Sequence, residues 1–299
     1  MARWQQKRAF LFSHPRTASN LFTRILSGQS DWQVSDYLFF DAFQYTRDAF
    51  DGISLDDAAD ATRQEHTSLV GQGYKQLEAV MCSSMDKQQH LLLKDHAHLV
   101  MPVEVTYGND EIATISKRTN PTIFSDALML SWQPIILIRN PILIYESWLR
   151  AEGSPYPDLE SQYAKIYTTL RFQRYIDDWY RAHHVDPIIL EADDVIERPD
   201  VLEKFCELTG MRKNELKYEW ETTPVPAKFM SNERFRRFLQ TIQDSTGIDN
   251  TRTSKGVKLE DRKVKWNEEF GVERAEVLAR RVIESWPDYE SLRERRLAV

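Results

Sequence analysis

The chain has 299 residues, 41% hydrophobic and 28% charged, with 39 Lys and Arg against 46 Asp and Glu, for a formal net charge of −7. No run of about 18 apolar residues is present to span a bilayer, and an acidic balance lacks the basic footprint of a nucleic-acid binder, so neither membrane nor nucleic acid is expected as a partner. With 10 Gly and 12 Pro the chain is neither linker-rich nor of low complexity, and at roughly 150 residues per domain its length fits one large domain or two small ones.

The N-terminal MARWQQKRAF runs straight into the apolar stretch 9–12, with no signal-peptide core and no small-residue cleavage site. Cys82 and Cys206 stand far apart, outside any CxxC or Cys/His cluster, so a disulfide framework and a structural zinc site are not expected. A reducing, cytoplasmic location fits this cysteine usage.

In chain order, residues 9–12 read as a strand buried on both faces. A Pro-containing turn follows, and then a helix whose Leu21, Phe22, Ile25 and Leu26 share one face. Such a strand, turn and helix collects free backbone N–H groups and a positive helix end beside Arg16, Thr17, Ser19 and Asn20. That is an anion site, or else an ordinary helix start with Ser19 as its N-cap. It is not a Walker A loop, because GxxxxGK[ST] is absent and Ala18 stands where a phosphate loop often has Gly. Residues 36–50, DYLFFDAFQYTRDAF, are aromatic-rich without a clear period; they read either as a core helix or as the wall of an acceptor pocket.

A second strand, 91–93, delivers Lys94, Asp95, His96 and His98 at its C-terminal end, where open parallel sheets bind ligands. A histidine there can take a proton from a hydroxyl and a lysine can steady developing negative charge. A structural role for either histidine, or metal ligation by the pair without a third ligand at a recognised spacing, stays open. Residues 102–120 are polar and loop-like. The third strand, 135–138, ends at Arg139; Asn140 and Pro141 turn into a helix on which Ser147 lies eight positions beyond Arg139. Arg139 binds an anion or pairs with one of the many carboxylates. Helical patterns at Tyr163, Ile166, Tyr167 and Leu170, at Val201, Leu202, Phe205 and Leu208 closed by Gly210, and at Val277, Leu278, Val282 and Ile283 flank a fourth strand, 188–190. This alternation predicts an α/β fold, a parallel sheet with helices on both faces, as one domain over 1–299.

Taken together, SHPRTASNLF, LLLKDHAHL and RNPILIYES, in this order, resemble three segments of the sulfotransferases that use 3′-phosphoadenosine 5′-phosphosulfate (PAPS), the soluble type especially. The resemblance implies a P-loop-like nucleotide-binding architecture that needs no metal. It further implies that Arg16, Thr17, Ala18, Ser19 and Asn20 cradle the 5′-phosphosulfate, that Lys94 and Arg16 neutralise charge at the reacting centre, and that His96 is the general base, with His98 second. Arg139 and Ser147 would grip the 3′-phosphate, with Lys255 and Gly256 of SKGVKLEDRKVKW closing over it. DPIILEADDVIERPDVLEKFCELTG is similar to a later strand, acidic turn and helix of the family. Three positions depart from it: Leu21 replaces a Trp that stacks on adenine, Ala192 a Tyr, and Ser254 an Arg.

The expected reaction is transfer of a sulfuryl group to a hydroxyl, or an amine, of a small hydrophobic or aromatic acceptor, leaving the 3′,5′-bisphosphate. Residues 36–50 and 102–131 are the candidate pocket walls, and the chain is expected as a monomer or homodimer. Two other readings compete: a Mg²⁺-dependent nucleotide kinase or hydrolase with Asp95 as metal carboxylate, and a nucleotide-binding module without catalysis.

Overall fold

Burial on both faces explains why four of the five strands form where they do. The computed structural model describes residues 4–50, 53, 57–107, 114–224 and 232–299. Its elements are β1 (Arg8–Ser13), α1 (Ser19–Ile25), β2 (Trp32–Asp36), α2 (Phe40–Phe50), α3 (Asp60–Asp86), β3 (His90–His96), α4 (Val103–Thr106), α5 (Asp126–Leu130), β4 (Gln133–Ile138), α6 (Pro141–Glu152), α7 (Gln162–Tyr167), α8 (Arg171–Ala182), β5 (Ile188–Glu191), α9 (Ala192–Glu197), α10 (Pro199–Thr209), α11 (Glu233–Gln243), α12 (Leu259–Phe270) and α13 (Val272–Arg293). Phe10 and Phe12 of β1, Leu91 and Leu93 of β3, and Ile136 and Ile138 of β4 join one apolar cluster with α2, α6, α8 and α13. Their alternates Ala9, Leu11, Leu92, Ile135 and Leu137 join a second cluster with Phe22 of α1 and Phe205 of α10. Side chains on both faces are removed from water, each contributing about 1.5–3 kcal/mol, which is why these strands read as continuous apolar runs.

The strand order is β2-β3-β1-β4-β5, and every pairing is parallel. The fold class is therefore the expected α/β one. β2 was not among the expected strands. It lies at the sheet edge, with Trp32 buried but Val34 39% exposed, so only alternate positions are apolar. The order places the functional end of the sheet. The connection leaving β1 runs to the β2 edge, while the one leaving β4 runs to the opposite edge, so a crevice opens between the C-terminal ends of β1 and β4. The loops carrying Arg16 and Arg139 meet there.

Local capping fixes those loops. Asn140 Oδ1 accepts from Ile142 N at 3.0 Å ahead of Pro141, the first residue of α6, a start that loses no donor. At α1 the expected Ser19 cap is not formed. Ala18 takes the N-cap position with φ 62° and no side-chain bond, and Ser19 is the first helical residue. No helix among the described residues is long and apolar enough to cross a membrane.

Candidate active site

The loop from His14 to Ala18 is held in a conformation that residues with a Cβ rarely adopt. Arg16 and Ala18 have φ 68° and 62°, a strain of about 1–3 kcal/mol each that proteins keep mainly at ligand clamps. Thr17 pins the loop: its hydroxyl donates to His14 O at 2.7 Å and its N–H to the same oxygen at 3.3 Å. Thr17 is thus fully buried, and it does not line the cleft.

That cleft has a volume of about 1250 Å³ and is lined by Arg16, Ala18, Ser19, Asn20, Tyr37, His96, Arg139 and Ser147, among others. Three residues from separate segments interlock on its floor. Arg16 Nε donates to Ser147 Oγ at 2.9 Å, and Arg139 donates to Arg16 O at 3.0 Å. A second donor of each reaches a late segment of the chain, Arg16 to Phe238 O at 2.7 Å and Arg139 to Arg252 O at 2.7 Å, while Arg139 Nε has no partner among the described residues. Among the described residues neither guanidinium has a carboxylate partner within salt-bridge distance. The Arg139 ion pair that the sequence left open is not formed. Burial, then Arg139 and Arg252, pushes Arg16 down to about 10, so it remains a cation at neutral pH. Two half-buried cations bonded only to neutral oxygens are an arrangement that an anion would complete.

Lys94 sits beside this floor, outside the cleft lining. Its side chain is fully buried, with Nζ 2.5 Å from Asn20 Oδ1, 3.3 Å from Asp36 Oδ2 and 4.3 Å from the centroid of the Tyr37 ring. Burial works against its charge, but Tyr37 and Asp36 outweigh it and the pKa is raised.

His96 faces the cleft. Its Nδ1 lies 2.8 Å from Ser13 Oγ and its Nε2 3.3 Å from the Tyr37 hydroxyl. Burial first, then His98, Lys94, His14 and Arg16, holds His96 well below the usual histidine range, which keeps it neutral and able to accept a proton. His98 stacks on His96 at 5.7 Å but is buried behind it, between Phe43 and Tyr167, and both its ring nitrogens are unpartnered. Among the described residues no group of three or more His, Cys, Asp or Glu converges on a metal-sized site.

Asp95 points away from the cleft. Burial pushes its carboxyl up to about 8 although the His96 N–H donates to it at 2.9 Å. An unfolded Asp titrates near 3.9, so between about pH 4 and pH 8 the folded chain holds a proton that the unfolded chain has lost, and stability falls as pH rises through that window. Asp95→Asn should abolish this fall. Melting temperatures at pH 5 and pH 8.5 should then differ less for the variant than for the wild type, and an equal difference would contradict the assignment.

Lys255 and Gly256 are exposed and lie outside the cleft lining; from the same late loop it is Arg252 and Thr253 that line it. Ser254 is tied instead to the acidic turn after β5, its N–H donating to Asp193 Oδ2 at 3.0 Å and its hydroxyl to the same oxygen. Leu21 lines the cleft and packs in the cluster that also takes Trp220 and Ile248. Ala192 is buried.

The segment 36–50 divides between the two readings given for it. Ala42, Phe43, Thr46 and Phe50 face the core, whereas Asp36, Tyr37, Leu38, Phe40 and Asp41 line the cleft. From 102–131, Val103, Thr106 and Ile123 meet Phe39, Phe43 and His98 in a separate cavity of about 20 Å³; none lines the main cleft, and residues 108–113 lie outside the described ones. Sequence reasoning included Tyr37 only as part of the 36–50 pocket wall, with no role of its own, and overlooked α11, whose Arg234, Phe235 and Phe238 close one side of the cleft. The alternation of basic and aromatic residues in ERFRRF is the signal that could have drawn attention to α11.

No family model matches the chain. It is 27% identical to the sulfotransferase ppzF of Metarhizium majus (strain ARSEF 297) over 331 aligned positions, covering 97% of this chain and 96% of the relative. It is 25% identical to the sulfotransferase ppzF of Metarhizium rileyi (strain RCEF 4871), again over 97% and 96% of the two chains. Among solved structures, the sulfotransferase domain from the Synechococcus PCC 7002 olefin synthase aligns with a TM-score of 0.43 and 16% identity, over 90% of this chain and 98% of that one.

Proposed function

Because this chain is a divergent member of the sulfotransferase family, its site has to hold a sulfuryl donor and an acceptor, and we propose that the donor is PAPS and the acceptor a small hydrophobic or aromatic compound bearing a hydroxyl. The observation that carries this reading is the pair of half-buried guanidiniums, Arg16 bonded to Ser147 and Arg139 bonded to the Arg16 carbonyl, without a carboxylate on either among the described residues. A ligand with two separate anionic groups on one nucleoside matches two such cations in a single cleft.

In this reading Arg16 and the N–H groups of Ala18, Ser19 and Asn20 bind the 5′-phosphosulfate. The Thr17 N–H is already spent on His14, so Thr17 serves by shaping the loop. Arg139 and Ser147 bind the 3′-phosphate, with Arg252 beside them and Lys255 reaching in only if its loop moves. Lys94 acts from behind Asn20 and Tyr37, adding positive potential without touching the ligand. The acceptor lies against Tyr37, Phe40 and Phe235, where its hydroxyl proton passes to His96 Nε2 as the new O–S bond forms and the bond to the leaving phosphate breaks. As in phosphoryl transfer, in-line positioning and charge neutralisation supply most of the effect.

Asp95 does not favour the Mg²⁺-nucleotide reading, since its carboxyl is buried away from the cleft and pushed up to about 8. The expected outcome in thermal-shift measurements is a raised melting temperature with the 3′,5′-bisphosphate, worth about 2.7 kcal/mol at a hundred times its Kd, and little change with ATP plus Mg²⁺. Mass spectrometry of a panel of hydroxyl compounds incubated with PAPS should then show one or more that gain a single sulfo group. Stabilisation by ATP plus Mg²⁺ alone would overturn the donor; stabilisation by the bisphosphate without any sulfated product would leave a binding module.

A further inference from the structure

Tyr37 belongs to none of the three anion and base segments, yet it touches two of them. It follows the edge strand β2 with φ 55°, a left-handed backbone that aromatic residues seldom adopt and that functional positions tolerate. Its N–H donates to Lys94 O at 3.1 Å, which pins it to β3. Its ring carries the Lys94 ammonium, and its hydroxyl stands 3.3 Å from His96 Nε2 and 3.4 Å from Asn20 Oδ1.

The single hydroxyl proton of Ser13 has two acceptors in reach, Asp95 O at 3.3 Å and His96 Nδ1 at 2.8 Å. When it goes to the carbonyl, the Ser13 oxygen accepts from Nδ1, and a neutral imidazole carrying its proton on Nδ1 has its lone pair on Nε2. The Tyr37 hydroxyl then faces two acceptors: Nε2, the atom assigned to take the acceptor's proton, and Asn20 Oδ1, which also accepts from Lys94 Nζ at 2.5 Å.

We propose that Tyr37 is a positioning residue for His96: its hydroxyl donates to Nε2, holds the ring as the Nδ1–H form with its lone pair toward the cleft, and turns to Asn20 Oδ1 when the acceptor hydroxyl takes its place. This rests on His96 being the base of the sulfuryl transfer. In that step the acceptor O–H breaks, its proton goes to Nε2 to give an imidazolium, the acceptor oxygen bonds to sulfur, and the bond from sulfur to the leaving phosphate oxygen breaks with its electron pair staying on the phosphate.

The charged and titratable groups around His96 are Arg16 and His14 from the loop after β1, Lys94, Asp95 and His98 from β3 and the turn following it, and Tyr37 and Asp36 from the end of β2. A hydrogen bond donated to Nε2 favours the neutral ring. Removing it should raise the pKa of His96 and move the acid limb of the kcat/KM profile to higher pH.

The test uses full-length protein labelled with ¹⁵N-histidine. Wild-type protein should show His96 as the Nδ1–H tautomer without any ligand; the Nε2–H tautomer would overturn the proposal whatever any variant does. Tyr37→Phe, which keeps the ring over Lys94, should mix the tautomers, shift the acid limb upward and lower kcat about five- to tenfold, the effect of one neutral hydrogen bond, with bisphosphate affinity unchanged. A loss of kcat with the tautomer and the acid limb both unmoved would make Tyr37 merely structural. Because the tautomer is read without substrate, a failed sulfuryl-transfer assay is a separate result from a failed Tyr37 assignment.

Discussion

Replacing His96 with alanine is expected to lower turnover by about 10²- to 10⁴-fold, the usual contribution of a positioned general base, while the 3′,5′-bisphosphate binds as tightly as before. The separation follows from geometry. His96 reaches the cleft from the end of β3 and, among the described residues, its ring bonds to Ser13 and Tyr37, whereas the floor proposed to bind the anions is made by Arg16, Arg139 and Ser147 from other segments. Removing the imidazole leaves that floor intact. Isothermal titration with the bisphosphate and a turnover assay on the same preparation give the two quantities. Turnover within a few-fold of wild type would remove His96 as the base. His98 is a poor substitute because it lies behind His96 with its ring sealed between Phe43 and Tyr167.

The second large effect is expected at Arg139. Arg139→Ala should weaken binding of the bisphosphate by about 10- to 150-fold, which corresponds to the loss of about 1.5–3 kcal/mol for a hydrogen bond to a charged group. Affinity for 5′-AMP, which lacks the 3′-phosphate, should change far less. Arg139 also donates to the carbonyls of Arg16 and Arg252, so its loss can loosen the loop after β1 as well. Arg139→Lys separates the two roles: it keeps the charge but cannot reach both carbonyls and a phosphate with one planar fork. Equal losses for the two nucleotides in Arg139→Ala would place the 3′-phosphate elsewhere.

What could be read from the sequence was whatever depended on one strand and the turn after it. Ala9 to Phe12, Leu91 to Leu93, Ile135 to Ile138 and Ile188 to Leu190 announce themselves because burial on both faces demands apolar residues at every position. Arg139 stands out because it follows such a strand directly, and Arg16 because it lies in the turn three positions after one. β2 was invisible for the opposite reason: Gln33 and Ser35 alternate with Trp32 and Val34 on an edge. Tyr37 inherits that invisibility, since its neighbours Lys94 and His96 become neighbours only once β2 has paired with β3. Lys255 illustrates the reverse case, a residue that matches by segment but stands exposed, while Arg252 three positions earlier meets Arg139. Backbone path decides such exchanges, and a linear pattern does not contain it.

The contrast between the chain's overall charge of −7 and its cationic cleft floor bears on how a polyanion arrives. Beyond about 8 Å, the Debye length at physiological ionic strength, the charges of the cleft floor are largely screened, so they act on an approaching anion only near the mouth. If the proposed donor is the ligand, a net negative chain offers it little long-range steering, and selection falls to residence time, set by how many of its phosphate oxygens meet a guanidinium.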